Sequence, residues 1–214
     1  MKTNRQKLLV SLLLLAAFAA WTLAVCRVDV QPIGPLDSPV GFSGINLAFH
    51  RWCGVHLPLY ILTDWLSLIP AIVCAGFGTL GLCQWIRRKH LLRVDRDLLV
   101  LGGFYVLVIA AYLLFELFPV NFRPILISGV LEASYPSSTT LLVLCVMPTA
   151  AMQLRSRIRN RMLRRFILFC IHVFTGFMIA ARLLSGVHWL SDIIGGMLLS
   201  VGLILLYAYV SSPS

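Results

Sequence analysis

Six apolar segments, at approximately 8–25, 57–86, 98–118, 137–154, 166–184 and 189–208, take up most of this chain. Each is at least as long as the roughly 17 residues that a helix needs to cross a hydrocarbon core. With 59% hydrophobic and 12% charged residues and a mean hydropathy of +0.90, a chain of 214 residues is too apolar for a soluble domain. The expected fold is all-α: a polytopic membrane helical bundle of about six transmembrane helices. It forms one membrane-embedded domain over residues 1–214, with its core at 98–208.

The formal net charge of +10 would suggest nucleic acid in a soluble protein. Here the basic residues lie in short connections between apolar segments, so topology accounts for them and no nucleic-acid partner is expected. Lys2, Arg5 and Lys7, then Arg87, Arg88, Lys89, Arg93 and Arg96, then Arg155, Arg157, Arg159, Arg161, Arg164 and Arg165 make 14 of the 18 Lys and Arg residues. Cytoplasmic loops collect such residues, which places both termini in the cytoplasm of an integral, plasma-membrane protein. Arg27, Arg51, Arg123 and Arg182 fall on the opposite side and need another explanation.

The stretch 27–56 carries Pro32, Gly34, Pro35, Pro39, Gly41 and Gly44, which marks an extracytoplasmic loop rather than a seventh span. Within it Ile45–Trp52 is apolar enough to lie along the interface. The first segment has a basic start, an 18-residue apolar core and no small-x-small cleavage site, and reads as a signal anchor. Valine before Cys26 argues against lipoprotein acylation. Cys74, Cys83, Cys145 and Cys170 are expected to pack, while Cys26 and Cys53 could pair in an oxidising compartment. Cysteines and histidines show no metal-ligand spacing, so no metal and no cofactor is expected.

Polar groups inside apolar runs are costly and usually functional. Ala181–Asp192 holds Arg182, His188 and Asp192 between the last two segments. Four residues apart, His188 and Asp192 share a helix face, where the carboxylate can fix the imidazole tautomer and support its cation. Arg182 offers a planar fork for phosphate or carboxylate. A buried ion pair pinning two helices is the plainer alternative. Pro119 ends the third segment and presents Arg123 at the outer face, and Pro136 followed by Ser137, Ser138, Thr139 and Thr140 is a helix start whose free amides favour an anion. Asp64, in the second segment, reads as a structural acid paired with Arg51 or Arg182, and His172 as an interior hydrogen-bonding residue. Gly195, Gly196, Ser200 and Gly202 form a small-residue stripe suited to close helix packing.

Two arginines and a helix start make an anion site, and a histidine held by an acid makes a nucleophile or general base. The arrangement resembles the type 2 phosphatidic acid phosphatase family, the membrane lipid-phosphate phosphatases. Arg123-Pro124 matches the end of that family's Lys-x6-Arg-Pro motif, and Pro136-Ser137 the start of its Pro-Ser-Gly-His motif. Arg182-x5-His188-x3-Asp192 matches its Ser-Arg-x5-His-x3-Asp motif, with Ala181 in place of serine. The resemblance implies that His188 attacks phosphorus to give a phosphohistidine, that Asp192 orients it, and that Arg123, Arg182, Ser137, Ser138 and Thr139 bind the phosphoryl group without a metal. Two positions depart from the pattern: Glu116 stands where the family has its first lysine, and Thr139 where it has the histidine that protonates the leaving group.

The expected function is hydrolysis of the phosphate or diphosphate head of a membrane lipid, of the polyprenyl diphosphate or phosphatidic acid type, at the outer membrane face. A diphosphate suits a site that lacks the acid, unless Glu116 or a water supplies the proton. The alternatives are a family member that binds lipid phosphates without turnover and a small transporter, which the absence of a clear repeat disfavours. His50, Arg51 and His56 are candidates to replace a missing family residue if the 27–56 loop folds back over the site.

Overall fold

The computed structural model describes residues 2–212. Among them run eight α-helices: α1 (Lys2–Arg27), α2 (Ser43–Cys53), α3 (Leu57–Leu66), α4 (Leu68–Arg88), α5 (Arg96–Leu117), α6 (Ser138–Arg157), α7 (Arg161–Leu184) and α8 (Leu190–Val210). Five stretches are long and apolar enough to cross a membrane: Asn4–Arg27, Leu57–Arg88, Arg96–Leu117, Arg161–Leu184 and Leu190–Val210. The expected helical membrane bundle is therefore present, and its outward faces carry exposed Leu13, Ile72, Ile109 and Phe169 as a lipid-facing surface would.

The sixth expected crossing is α6, which is 20 residues long but more polar than the other five. Its position explains the difference. One side of α6 packs Leu141, Cys145 and Val146 into a core shared with α1, α5 and α8, and the other packs Val143, Met147 and Ala151 against Ile171 and Met178 of α7. A helix surrounded by protein needs no apolar face toward lipid, so it can carry Thr139, Thr140, Thr149 and Gln153 in the interior. Gln153 is satisfied there by Tyr207, at 2.7 Å.

The segment expected as one crossing at 57–86 is two helices meeting at Ser67. Pro70 has no N–H to return to Leu66, which weakens the ladder at that turn. Ser67 closes the first helix there, its N–H reaching the Thr63 and Asp64 carbonyls at 3.0 and 3.1 Å and its hydroxyl donating to Asp64 O at 2.5 Å.

Chain direction alternates along the bundle. Trp21 Nε1 donates to the Ser191 carbonyl at 3.1 Å, while Lys7 lies 3.3 Å from Ser212, so α1 and α8 are antiparallel over their length. One end of the bundle is basic and is tied by Arg157–Asp97 and Arg88–Asp95 ion pairs, each at 2.9 Å. The other end gathers α2, the 118–137 connection and the 185–189 turn. His172 faces outward on α7 rather than into the interior expected for it, because the buried face of α7 is formed by Ile171, Thr175 and Met178. Cys26 and Cys53 are free thiols.

Tyr135 anchors the second end. Its ring stacks on Phe18 at 6.2 Å and meets Phe115 edge-on at 5.7 Å, and its hydroxyl lies 2.7 Å from Thr22 Oγ1. The small-residue stripe on α8 makes room for it, since a Cβ at Gly195 would come within 2.5 Å of that ring. Gly195→Ala is therefore expected to destabilise the protein by about 1–3 kcal/mol, the usual cost of overpacking. Gly102→Ala, where a Cβ meets nothing within 4 Å, should not. Thermal unfolding of the two variants in one detergent checks the contrast.

Candidate active site

Tyr60, Thr63 and Asp64 lie three and four residues apart on α3, a spacing that puts them on one helix face. Arg182, near the end of α7, is only 2% exposed and extends to this face. Its guanidinium sits 4.8 Å from the centre of the Tyr60 ring and donates from Nη1 to Thr63 Oγ1 at 3.2 Å. Arg123 approaches the same ring at 5.8 Å from the 118–137 connection. A cation over an aromatic face is attracted by the ring quadrupole, worth about 2 kcal/mol when both are desolvated. Neither Tyr60 nor Thr63 was singled out in the sequence. The signal that could have found them is an aromatic, a hydroxyl and a carboxylate on one face of an otherwise apolar crossing.

The Arg123 backbone N–H bonds to the Glu132 carbonyl at 3.0 Å, pairing the two sides of the connection. Its Nε lies 2.9 Å from Glu132 Oε2, but the donor is not directed at that oxygen, so the contact is one of charge rather than a formed hydrogen bond. Arg123 Nη1 and Arg182 Nε are buried with no hydrogen-bond partner among the described residues. Buried donors without partners are costly, about 1–3 kcal/mol each, and chemically such a pair can take up an anion.

Both arginines line a cavity of about 360 Å³, open to the outside, together with Asp64, Ser67, Tyr112, Ser138 and Thr139. Its remaining walls are Val108, Ile109, Leu141 and Leu142, so a charged end adjoins an apolar flank. Of the predicted helix-start residues, Ser138 and Thr139 reach the cavity, but Ser137 does not. Its hydroxyl caps α6 instead, accepting from Thr140 N at 3.4 Å and Thr140 Oγ1 at 3.1 Å. Glu116 is exposed and lines a neighbouring crevice with Tyr112, Ser134 and Pro136.

His188 lies in the 185–189 turn and is 2% exposed. Its Nδ1 is 3.2 Å from the Ser134 carbonyl and 3.8 Å from Asp192 Oδ2. The nearer partner is thus a backbone oxygen that the side-chain pattern does not reveal. A carbonyl can only accept, so Nδ1 carries the proton and Nε2, buried and without a hydrogen-bond partner among the described residues, keeps its lone pair. Asp192 is fully buried and accepts from Trp189 N at 3.0 Å and Asn121 Nδ2 at 3.1 Å, which caps α8 and ties it to the 118–137 connection. Trp189 Nε1 adds a bond to the Phe122 carbonyl at 2.8 Å.

The 27–56 loop does fold back. His50 Nε2 lies 3.1 Å from the Gly186 carbonyl, and His56 N–H donates to the Ser185 carbonyl at 3.0 Å. Both brace the histidine turn from behind, whereas Arg51 is exposed and does not line the cavity. Gly186 has φ +69°, and a Cβ there would sit 2.0 Å from Gly54 O, so the turn requires glycine on both counts.

A family model described as PAP2 superfamily matches residues 70–213. A search of the curated proteins finds no match. Among solved structures, the chain is similar to the "first transmembrane PAP2 type phosphatidylglycerolphosphate phosphatase from Bacillus subtilis", with 20% identity over 98% of this chain and 94% of that one and a TM-score of 0.43.

Burial pushes the His188 imidazole down from 6.5 to about 4, with the Arg123 and Arg182 charges adding to the fall and Asp192 opposing it. The ring is thus neutral at pH 6. Nitrogen-15 NMR, using His188→Gln to assign the signal, should show a proton on Nδ1 and titration well below 6.5. The sign for stability follows: with its folded value depressed, this contribution is complete above about 6.5 and is lost as the pH falls toward about 4.

Proposed function

This chain belongs to the PAP2 superfamily, and on that premise we propose that the whole chain is one membrane-embedded phosphatase domain. It hydrolyses the phosphate or diphosphate head of a lipid, of the phosphatidic acid or polyprenyl diphosphate type. The observation that carries this reading is a cavity joining two buried, incompletely paired arginines to an apolar wall, with the charges of both arginines acting on the buried His188. The charged end suits a phosphoryl group and the apolar flank an alkyl chain.

In the proposed mechanism Nε2 of His188 attacks phosphorus to give a phosphohistidine, which water then cleaves. Arg123 and Arg182 bind the equatorial oxygens, where charge is spread in the transition state. Ser138, Thr139 and the first amides of α6 add donors. The Ser134 carbonyl keeps the proton on Nδ1, and Asp192 supports the positive ring from 3.8 Å. The site faces the extracytoplasmic side, since the opposite end carries the concentrated Lys and Arg residues.

A second reading, binding of lipid phosphates without turnover, is favoured because no histidine, His188 included, is among the described residues that line the cavity. Phosphate release from lipid phosphates by the purified protein separates the two. Turnover should vanish in His188→Ala and persist at a reduced level in Asp192→Asn. Arg123→Ala and Arg182→Ala should each lower kcat/KM by about 10–10²-fold, the loss of one charge-assisted bond. Release by His188→Ala at the original rate would remove the phosphohistidine. In a cysteine-free background, Val130→Cys, which is exposed at the site end, should be labelled from outside the cell, and Leu92→Cys only after permeabilisation.

A further inference from the structure

We propose that Asp64 is the general acid of this site, donating the proton to the lipid oxygen that leaves; this rests on the phosphatase reading above. Cleaving a phosphate monoester expels an alkoxide, which needs a proton in the transition state. Among the side chains that line the cavity, Ser67, Ser138 and Thr139 carry alcohols no more acidic than the leaving group, and Tyr112 a phenol. Asp64 is the one carboxyl in that wall.

Its surroundings leave it free for the task. The charge of Arg123 is matched by Glu132 at 2.9 Å, and Arg182 is held by the Tyr60 ring and Thr63. Asp64 makes no ion pair with either among the described residues, so the pairing with Arg51 or Arg182 expected from the sequence is not formed. Asp64 shares the cavity wall with Tyr112 from α5, Arg123 from the 118–137 connection, Ser138 and Thr139 from α6, and Arg182 from α7, and Arg182 feels the charges of Arg123, Asp64 and Glu132. Two cations and two anions already balance there, so a bound phosphate brings excess negative charge. A monoanionic phosphate monoester brings a proton of its own into this space, and the Asp64 carboxyl is the group in the wall that can pass it to the leaving oxygen.

The step balances. The Nε2 lone pair of His188 forms the N–P bond, the P–O bond to the lipid breaks, and its electron pair takes the Asp64 proton to give the lipid alcohol. The Asp64 carboxylate then takes a proton from the water that attacks phosphorus. The P–N bond breaks, phosphate leaves, and His188 and Asp64 return to their starting states.

The test compares leaving groups in one detergent: phosphatidic acid, which expels an alkoxide, and 4-nitrophenyl phosphate and a polyprenyl diphosphate, which expel weak bases. Asp64→Asn should lower kcat/KM on phosphatidic acid by about 10²–10⁴-fold, and by less than about tenfold on the other two. Asp64→Glu should recover part of the loss on phosphatidic acid. Equal losses on all three substrates, no loss on any, or a wild-type protein that cleaves the diphosphate but not phosphatidic acid would overturn the assignment and leave the phosphatase standing. A folded wild-type protein that cleaves none of them would take both down. Thermal unfolding of each variant separates a folding failure from a chemical one, and Asp64→Glu decides the case if Asp64→Asn does not fold.

Discussion

Holding two guanidinium groups inside the end of a lipid-embedded bundle is the constraint on which the rest of this structure depends. An isolated charge at that position would cost several kcal/mol. The chain meets the cost with three separate pieces: α7 brings Arg182, the 118–137 connection brings Arg123 with its partner Glu132, and α3 brings the Tyr60 ring and the Thr63 hydroxyl. None of these pieces is adjacent in sequence, so the arginines can be buried only when the bundle is assembled. The break at Ser67 belongs to the same solution, because it separates the short helix that meets the arginines from the longer one that follows α6 toward the basic end.

The central place of α6 follows from what begins it. Its first residues must stand beside the arginines, so the helix starts inside the protein rather than at its edge, and it is covered on both sides. This is why the helix with the most to do at the site is the least apolar of the crossings. Hydropathy measures the lipid a helix must face, and α6 faces little. The glycines of α8 complete the arrangement by letting the Tyr135 ring and the start of α6 approach closely.

Sequence reasoning located the spans, the basic end and the stretches holding Arg123, Arg182 and His188, because each leaves a trace in residue type: apolar runs, charge bias, and ionisable groups where they are expensive. It could not see contacts made by backbone. The His188–Asp192 spacing suggested a direct pair, yet the carboxylate lies at the third position of α8, where unpaired amides need an acceptor, and capping took it. Asn121 claims its other oxygen. Tyr60 and Thr63 escaped for a different reason, since on a long apolar crossing such groups look like packing until the partner helix is in place.

The histidine turn shows how far such backbone control extends. Ser185 and Gly186 present carbonyls to the 50–56 segment, Gly186 leaves no room for a side chain, and Ser134 offers a carbonyl to Nδ1. Apart from the His50 ring and the His188 ring itself, these contacts are made by groups that every residue possesses. The tautomer of His188 is therefore set by where the 118–137 connection runs, not by which side chain stands at position 134. Exchanging that side chain would leave the acceptor in place, whereas moving the connection would not. The turn is positioned by the fold that surrounds it, and only glycine at 186 betrays the fact in the sequence.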